Sequence, residues 1–166
     1  AINYYHIDSL SPKRRFYQTV REDEIWIRVK PWEVPFNSIE YHHVNGTFNR
    51  EGNQFVFTRC EENWKKEVTC ALWYTEFKSG IWSDPVKLSA EINREGFIVT
   101  QPALAFDEAR KRKVLYYASN AEGGQGGMDL WYTYFDERKQ SWRKPRNLGR
   151  RVNGGGDEIT PFYNQT

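Results

Sequence analysis

The sequence predicts an all-β fold built from repeated units of four antiparallel strands. The tetrapeptide Leu-Trp-Tyr-Thr at residues 72–75 returns at residues 130–133, and a longer pattern follows each copy at a spacing of about 60 residues. The chain of 166 residues is 16% aromatic, which is typical of strand-rich domains. A repeat of this length made of short aromatic and β-branched runs indicates a repeat architecture. The matched pairs are Trp82/Trp142, Pro85/Pro145, Leu88/Leu148, Ile92/Val152, Asn93/Asn153 and Pro102/Pro161.

The first unit, residues 4–36, is the shortest and matches the others only in outline. Two apolar runs at 16–20 and 25–29 flank a charged turn, which predicts a hairpin. Trp32 and Pro35 keep the Trp-to-Pro spacing of the later units. We therefore expect this part of the chain to form a shortened copy of the repeat.

Four strands are predicted in the second unit, residues 37–90, and four in the third, residues 97–149. Polar or glycine-containing turns separate the apolar runs, as expected for antiparallel neighbours. The predicted strands are 41–48, 54–60, 69–77 and 82–88 in the second unit, and 97–106, 114–119, 128–135 and 142–148 in the third.

Four antiparallel strands at this period describe a blade of a β-propeller. Residues 150–166 begin a further unit, with a first strand predicted at 158–163, and Ile2-Asn3 matches the linker Ile92-Asn93. Propellers close with about four to eight blades, so three blades and one strand cannot complete a ring. We expect the chain to be part of a larger ring in a longer polypeptide, and a partner chain that completes the ring is the alternative.

The third unit carries a run of short motifs that extends into the start of the next unit. These are aromatic-Ala-Ser at 117–119, Gly-Gly-x-Gly-Gly-x-Asp-Leu-Trp at 123–131, Trp-x-x-Pro at 142–145, Asn-Leu-Gly at 147–149 and Gly-Asp-Glu-x-x-Pro at 156–161. In this run the chain resembles the WD-repeat-like (TolB-like) propeller repeats of cell-envelope proteins of the Bacteroidetes. The resemblance covers residues 98–163 strongly and 41–97 well, although the second blade replaces the glycine turn with residues 61–66.

The resemblance implies a location and a set of partners. Such propellers sit in the periplasm, associated with the outer membrane, in proteins that carry peptidoglycan-binding domains resembling outer membrane protein A or in subunits of the type IX secretion machinery. The implied partners are other envelope or secretion-system proteins, the remaining blades of the ring, and peptidoglycan through a domain outside this chain. The motifs are specific for the fold and say little about activity, because propellers host unrelated functions.

Charge and hydropathy argue against nucleic-acid binding and against a membrane-spanning segment. The net charge of +2 leaves no concentrated basic footprint of the kind that nucleic acid requires. No run of apolar residues approaches the length of a transmembrane helix. We predict neither nucleic-acid binding nor a transmembrane segment.

The two cysteines lie at the ends of neighbouring predicted strands. Cys60 ends the second strand of its blade and Cys70 begins the third, so a hairpin through 61–69 places them side by side. In an oxidising compartment this arrangement predicts a disulfide, and two buried thiols are the alternative. Zinc is not expected, because two cysteines without nearby Cys or His partners fall short of four ligands.

The glycine-rich turn of the third blade suggests a metal site at first sight. Calcium-binding repeats use Gly-Gly-x-Gly-x-Asp, but here the acid comes one residue late and the motif occurs once. We interpret the turn as structural: the glycines allow positive φ in a tight hairpin, and the acid hydrogen-bonds the turn backbone. The residues of this turn are Gly123, Gly124, Gly126, Gly127 and Asp129.

No catalytic residue, metal ligand or cofactor site is predicted. His42 and His43 are adjacent in a strand, so their side chains point to opposite faces and cannot readily bind one metal. Asp157 and Glu158 lie near the start of a first strand, where we expect them to make structural hydrogen bonds between blades.

A basic run flanks and occupies the fourth strand of the third blade. Charge on an outermost strand prevents edge-to-edge aggregation, which is a sufficient structural explanation. The alternative is docking on an acidic protein surface or an anionic envelope polymer, through a contact that weakens with salt. The candidate interaction residues of this run are Arg143, Lys144, Arg146, Arg150 and Arg151.

Two further positions are candidates for contact or modification. Trp64, in the variable turn between the cysteines, is the best candidate for an exposed aromatic platform that stacks on carbohydrate. Asp8-Ser9-Leu10 fits the pattern that Bacteroidetes O-glycosylate in the periplasm, which makes Ser9 a candidate O-glycosylation site.

Together these features predict a non-catalytic interaction scaffold of the bacterial cell envelope. The alternative is a fragment of a propeller that binds or hydrolyses glycans with two or three carboxylates. The acids of this chain lie mainly in outer turns, such as 61–62, 107–108 and 136–137, which favours the scaffold.

Overall fold

The structure of the chain is a computed structural model that describes residues 13–164. All regular structure in this range is β-strand, and no helix long and apolar enough to cross a membrane is found there. The strands are β1 (Tyr17–Gln18), β2 (Arg21–Glu22), β3 (Ile25–Trp26), β4 (Lys30–Pro31), β5 (His42–Phe48), β6 (Gln54–Glu62), β7 (Val68–Lys78), β8 (Ile81–Trp82), β9 (Val86–Lys87), β10 (Val99–Asp107), β11 (Arg112–Ser119), β12 (Asp129–Asp136), β13 (Ser141–Trp142) and β14 (Arg146–Asn147).

The strands from β5 to β14 form two five-stranded antiparallel sheets of the same design. In the first sheet β5, β6 and β7 lie side by side, and the short strands β8 and β9 both pair with β7. In the second sheet β10, β11 and β12 lie side by side, and β13 and β14 both pair with β12. Each sheet is a blade of four strand positions whose outermost strand is split in two. The predicted all-β architecture of propeller-like blades is confirmed.

The outermost strand of each blade is split because its middle leaves the ladder. A single strand was expected at 82–88, and it is divided into β8 and β9. Between the two parts the hydroxyl of Thr75 donates to the carbonyl of Ser83 at 2.7 Å, and Pro85 has no N–H to give to the ladder. The third blade repeats the interruption between β13 and β14.

The strands β1 to β4 form one hairpin with the geometry of the outer half of a blade. β2 pairs with β3 and β1 with β4, as β7 pairs with β8 and β9. The partner of Arg21 is Trp26, and the equivalent partner of Phe77 is Trp82. The expectation that Trp32 takes the position of Trp82 is therefore wrong, because the two-residue turn between β2 and β3 fixes a register in which Trp26 does.

An asparagine, buried in two of the three units, ties the outer half of each blade to the linker that follows it. The N–H of Leu72 donates to Asn93 Oδ1 at 2.8 Å, and Asn93 Nδ2 donates back to the Leu72 carbonyl at 2.9 Å. This reciprocal pair fixes the linker to the third strand without using a β-ladder. The same pair recurs between Leu130 and Asn153, and between Phe16 and Asn37.

The position of Asn37 identifies the linker between the first unit and the second blade. This linker, Phe36-Asn37, corresponds to Ile92-Asn93. Ile2-Asn3, which was expected to match the same linker at the start of the first unit, lies outside the described residues. Of the first blade, expected over 4–36, the described residues form only the third and fourth strands.

Hydrophobic cores lie between successive sheets. Val56 and Leu72 of the second blade pack with Leu104, Leu115 and Trp131 of the third. The opposite face of the second blade packs against the first unit through an aromatic cluster, so the sheet of the second blade is apolar on both faces. This cluster consists of Phe16, Trp32, Phe36, Phe55 and Phe57 together with Val34, Trp73 and Trp82.

A backbone bulge marks the first strand of each blade. The register of β5 against β6 shifts at Asn45, which has a φ of 41°, and that of β10 against β11 shifts at Gln101, with a φ of 53°. Thr160 has the same left-handed conformation, with a φ of 59°, and Pro161 follows it as Pro102 follows Gln101. The chain around Thr160 therefore adopts the conformation of a first strand.

The segment predicted as the first strand of a fourth blade, 158–163, lies against the third blade. The N–H of Glu158 donates to the Met128 carbonyl at 2.6 Å, and Ile159 packs against a cluster that includes Met128. A ladder needs a neighbouring strand, and the described residues bring none to this segment. The extended conformation is thus present without the ladder.

The linker asparagines give a test of the fold. We expect Asn153→Ala to lower the free energy of unfolding by about 2–4 kcal/mol, because the buried Leu130 N–H and carbonyl lose their partners. Urea denaturation measures the change. Asn164→Ala, at an exposed position, is the matched control and should change stability by less than about 0.5 kcal/mol. A loss of stability in Asn153→Ala no larger than in the control would contradict the role of the linker.

Candidate interaction surface on the third blade

Strand alternation divides the third blade into two faces. Tyr116 of β11 is paired with Tyr132 of β12, and Tyr132 with Arg146 of β14, so these three side chains share one face. The opposite face carries Leu115 and Trp131, which pack on the second blade. The tyrosine-bearing face is therefore turned away from the rest of the described chain.

A short segment covers the inner part of this face. Ile159 packs in a cluster with Ala118 and Leu130, and the ring of Tyr163 stacks on Tyr116 with centroids 6.0 Å apart. The equivalent face of the second blade is covered by the whole third blade. On the third blade the outer part of the face, around β12 and β14, has no covering sheet among the described residues.

The uncovered part forms a cleft of about 620 Å³. Its floor contains Tyr132, Thr133 and Tyr134 of β12, and Pro145 lies at its edge. Its remaining lining is cationic, and we call this set of side chains together with the floor the basic cleft. The cationic residues are Arg110, Arg112, Arg143, Lys144 and Arg146.

Two carboxylates lie beside the basic cleft. Arg143 Nη2 is 3.0 Å from Asp136 Oδ2, and Arg110 Nη1 is 3.3 Å from Asp107 Oδ2. The backbone N–H of Lys139 and the Arg143 guanidinium hold the pKa of Asp136 below its usual value. Burial would raise the pKa of Asp107, but hydrogen bonds from the backbone and guanidinium of Arg110 lower it. Both carboxylates therefore remain ionised at neutral pH.

Arg112 is held against the floor of the basic cleft by an aromatic ring. Its guanidinium carbon lies 3.3 Å from the ring centroid of Tyr134, a cation–π contact. Its Nε is 3.7 Å from Asp107 Oδ2, which is too long for a hydrogen bond, and this buried Nε has no hydrogen-bond partner among the described residues. Arg112 is thus held in position by the ring of Tyr134 and the nearby carboxylate of Asp107.

Lys144 and Arg146 complete the excess of positive charge. Neither has an ion-pair partner in the range 13–164, and both are exposed. Five cations against two carboxylates leave the basic cleft positive. The cleft can therefore hold an anionic group without first losing its own ion pairs.

The repeat shows that the fold does not require these cations. Ser83 and Val86 of the second blade occupy the positions of Arg143 and Arg146. The backbone geometry is nevertheless the same, because the hydroxyl of Thr75 or Thr133 donates to the carbonyl at the first of these positions in both blades. The basic residues are thus an addition to the blade.

The other two basic candidates lie outside the basic cleft. Arg150 Nε donates to Gln125 Oε1 at 2.9 Å, next to the glycine turn, and Arg151 is exposed in the linker. The sequence analysis did not identify Arg110, Arg112 or the tyrosines of β12 as part of this surface, because they lie outside the basic run. The available signal was the alternation of Tyr132 and Tyr134, which marks one face of β12.

The glycine turn interlocks with the linker that follows the blade. Gly127 N–H donates to the Gly156 carbonyl at 3.0 Å, and Met128 N–H donates to Asp157 Oδ1 at 2.8 Å. A Cβ on Gly126 would stand 2.6 Å from the Gly156 oxygen, and one on Gly127 would stand closer still to Asp157. Close approach is therefore what most of these glycines allow.

Asp129 closes the glycine turn from within the sheet. It is fully buried, and its Oδ2 accepts the N–H of Gln125 and a hydrogen bond of 2.9 Å from Asn147 Nδ2. Of the turn glycines, Gly123 has a positive φ, at 92°, and a Cβ on Gly124 would overlap Asp129 Oδ2. The described residues contain no group of three acidic, His or Cys side chains placed to hold a metal.

The predicted disulfide is present. Cys60 and Cys70 face each other across β6 and β7 with Cα atoms 4.1 Å apart, and both are buried. The bond clamps the neck of a hairpin whose tip carries Trp64, which is 88% exposed. At the tip, Asn63 Oδ1 accepts the N–H groups of Lys65 and Glu67. Trp64 is therefore displayed on an ordered turn, away from the basic cleft.

The histidines and the remaining acids have structural environments. The ring of His43 lies among Phe16, Tyr41 and Phe57, and neither of its nitrogens has a hydrogen-bond partner in the described part of the chain. His42 Nδ1 accepts the backbone N–H of Arg14 at 3.2 Å. Glu158 Oε2 accepts the Gly154 N–H at 2.9 Å. Ser9 lies outside the described residues.

The interlocked turn gives a matched pair of substitutions. We expect Gly126→Ala to destabilise the protein by about 1–3 kcal/mol, because its Cβ would press on the Gly156 carbonyl. Gly155→Ala, where a Cβ meets no atom within 4 Å, should have an effect smaller than about 1 kcal/mol. Thermal denaturation of both variants measures the difference, and equal transitions would show that the close approach does not constrain the turn.

The environment of His43 gives a pH-dependent prediction. Burial, with the nearby charge of Arg59, lowers the pKa of His43 to about 4. The unfolded chain therefore binds a proton that the folded chain excludes, and stability falls as the pH drops through the unfolded value of about 6.5 towards 4. We expect a loss of about 3 kcal/mol over this range that is missing in His43→Phe. Urea denaturation of both proteins at several pH values measures it, and parallel pH profiles would contradict the assignment.

Comparison with known proteins does not name a family for this chain. No protein-family model matches the sequence, and no curated protein is significantly similar to it. The resemblance to envelope propeller repeats therefore stays a prediction from the motifs. What the chain does has to be inferred from the geometry of its surfaces.

Proposed function

We propose that the chain is a segment of a larger β-propeller that acts as a non-catalytic protein-interaction scaffold in the bacterial periplasm, associated with the outer membrane or the type IX secretion machinery. The observation that carries the proposal is the basic cleft. The cleft lies on a partly covered face of the third blade, and the second blade forms the same strands without Arg143 and Arg146. Residues that a fold does not require and that remain exposed are typical of binding surfaces.

The carboxylates support a scaffold over a hydrolase. Asp129, Asp157 and Glu158 accept backbone N–H groups of turns and linkers. Asp107 and Asp136 accept hydrogen bonds from arginine. Glycoside hydrolysis needs a pair of carboxyls about 5–10 Å apart, one of them free to donate a proton. These five acids are used to hold turns and cations in place.

The disulfide supports the proposed extracytoplasmic location. Disulfides persist in oxidising compartments such as the bacterial periplasm and are rare in the cytosol. The bond between Cys60 and Cys70 joins neighbouring strands inside the packed region between blades. An extracytoplasmic location is therefore part of the proposal, and the outer-membrane and secretion assignments rest on the motif resemblance.

Carbohydrate binding is the second candidate function, and Trp64 is the observation that favours it. The indole is almost fully exposed on a disulfide-clamped hairpin, and Lys65 Nζ lies 5.1 Å from its ring centroid. An exposed, fixed aromatic ring can stack on a sugar. One ring offers less surface than the basic cleft, so the scaffold remains the preferred function.

Site-specific photocrosslinking in the native cells tests the scaffold. A cleft of about 450 Å³ lined by Tyr74 stays open between the second and third blades, so a further blade of the ring would leave the equivalent outer part of the basic cleft accessible. A benzophenone side chain at Tyr132 should therefore give a discrete adduct with a second protein that binds in this outer part. The same probe at Tyr17, which is 59% exposed on the first unit, is the matched control and should give less adduct. Purified protein should release no sugar from peptidoglycan. Sugar release, or adducts that do not differ between the two positions, would contradict the scaffold.

A further inference from the structure

We infer that the basic cleft binds an acidic polypeptide segment, whose Asp and Glu side chains pair with the arginines that line the cleft. This inference rests on the proposed scaffold function and names the chemistry of its partner.

The equivalent surface on the second blade carries charges of both signs. There Glu76, Lys78 and Lys87 line a cleft of about 450 Å³, and Lys113 of the third blade lies on its other side. Glu76 is ion-paired within its own blade, with Lys78 Nζ 2.6 Å from its carboxylate. The Lys78 ammonium first, and Lys113 in addition, hold the pKa of Glu76 below its usual value.

The third blade lacks the carboxylates found at the equivalent positions of the second blade. Tyr134 stands at the strand position of Glu76, and Asp84 of the second blade is replaced by Lys144. A molecule that packs here meets the five cations of the basic cleft. Charge complementarity therefore favours carboxylates on the incoming molecule.

The geometry of the cations suits carboxylates. Four of the five are arginines, whose planar guanidinium groups pair with carboxylates through two parallel hydrogen bonds. Arg143 already places Nε and Nη2 at 3.2 and 3.0 Å from Asp136 Oδ2. The guanidinium of Arg112 is held over the ring of Tyr134. Lys144 and Arg146 offer further donors without a described partner.

The repeat favours a polypeptide as the occupant. The same face of the second blade is covered by polypeptide, through apolar contacts of Val56 and Leu72 and the polar contacts around Glu76. On the third blade the chain itself begins this cover, with Tyr163 stacked on Tyr116. An acidic segment in the basic cleft extends this existing protein interface. The rings of Tyr132 and Tyr134 give the methylene groups of its Asp and Glu side chains an apolar surface to pack on.

Binding to two carboxylate polymers tests the inference. We expect fluorescently labelled poly-L-glutamate to bind the folded protein in an anisotropy titration at low ionic strength, with affinity that falls as salt rises. Polygalacturonate, a polysaccharide with one carboxylate per sugar, is the second probe. It should bind at least tenfold more weakly than poly-L-glutamate.

The variant that tests the cleft takes its residues from the second blade. Arg143→Ser, Lys144→Asp and Arg146→Val together install the residues that the second blade carries at these positions, so folding should be preserved. We expect this variant to bind poly-L-glutamate at least tenfold more weakly. The control, Arg138→Ser, Arg150→Ser and Arg151→Asp, makes the same change in net charge outside the cleft and should stay within twofold of the parent protein.

Each remaining outcome overturns the inference. Equal loss in the two triple variants would show a response to net charge alone. Tight binding of polygalacturonate that only the cleft variant loses would assign the cleft to a polysaccharide. If the parent protein shows a cooperative unfolding transition but does not bind poly-L-glutamate, the inference of an acidic polypeptide segment is wrong. A protein adduct at position 132 together with any of these results would leave the scaffold standing and reject only the acidic partner.

Discussion

The sheet of the second blade is apolar on both faces, and the arrangement of the chain depends on covering them. Phe55 and Phe57 on one face pack against the first unit, while Val56 and Leu72 on the other pack against the third blade. Burial of apolar area is the main favourable term in folding, so such a sheet is stable only between two neighbours. The third blade has the same design, and within residues 13–164 its outward face is covered by the segment around Ile159 and Tyr163 alone.

Polar groups within the packed region fix the position of each blade. The linker asparagines, such as Asn93, replace a ladder where the chain passes from one sheet to the next. The hydroxyl of Thr75 holds the interruption of the outermost strand, and Asp129 holds the glycine turn. Thr75 and Asp129 are fully buried and Asn93 is half-buried, so the loss of a hydrogen-bond partner leaves a polar group unsatisfied. These structural hydrogen bonds account for recurring polar residues of the sequence.

Function enters where the blades differ. The second and third blades share strands, interruption and linker, yet Ser83 and Val86 become Arg143 and Arg146. In place of the glycine turn the second blade has a disulfide-clamped hairpin that displays Trp64. The shared features maintain the fold and the differences alter the surface, which is why the basic cleft supports the scaffold proposal better than any buried group does.

The all-β class, the repeat, most strand positions in the second and third blades, and the facing cysteines could be predicted from the sequence, because they follow from local periodicity and hairpin geometry. The equivalence of Trp26 and Trp82 emerged from the folded structure, since a two-residue turn sets the register of a weakly patterned hairpin. The folded structure also brought Arg112 from β11 beside Arg143 and Tyr134. Residues from different strands become one surface only after the sheet has formed, so their joint charge is not visible along the chain.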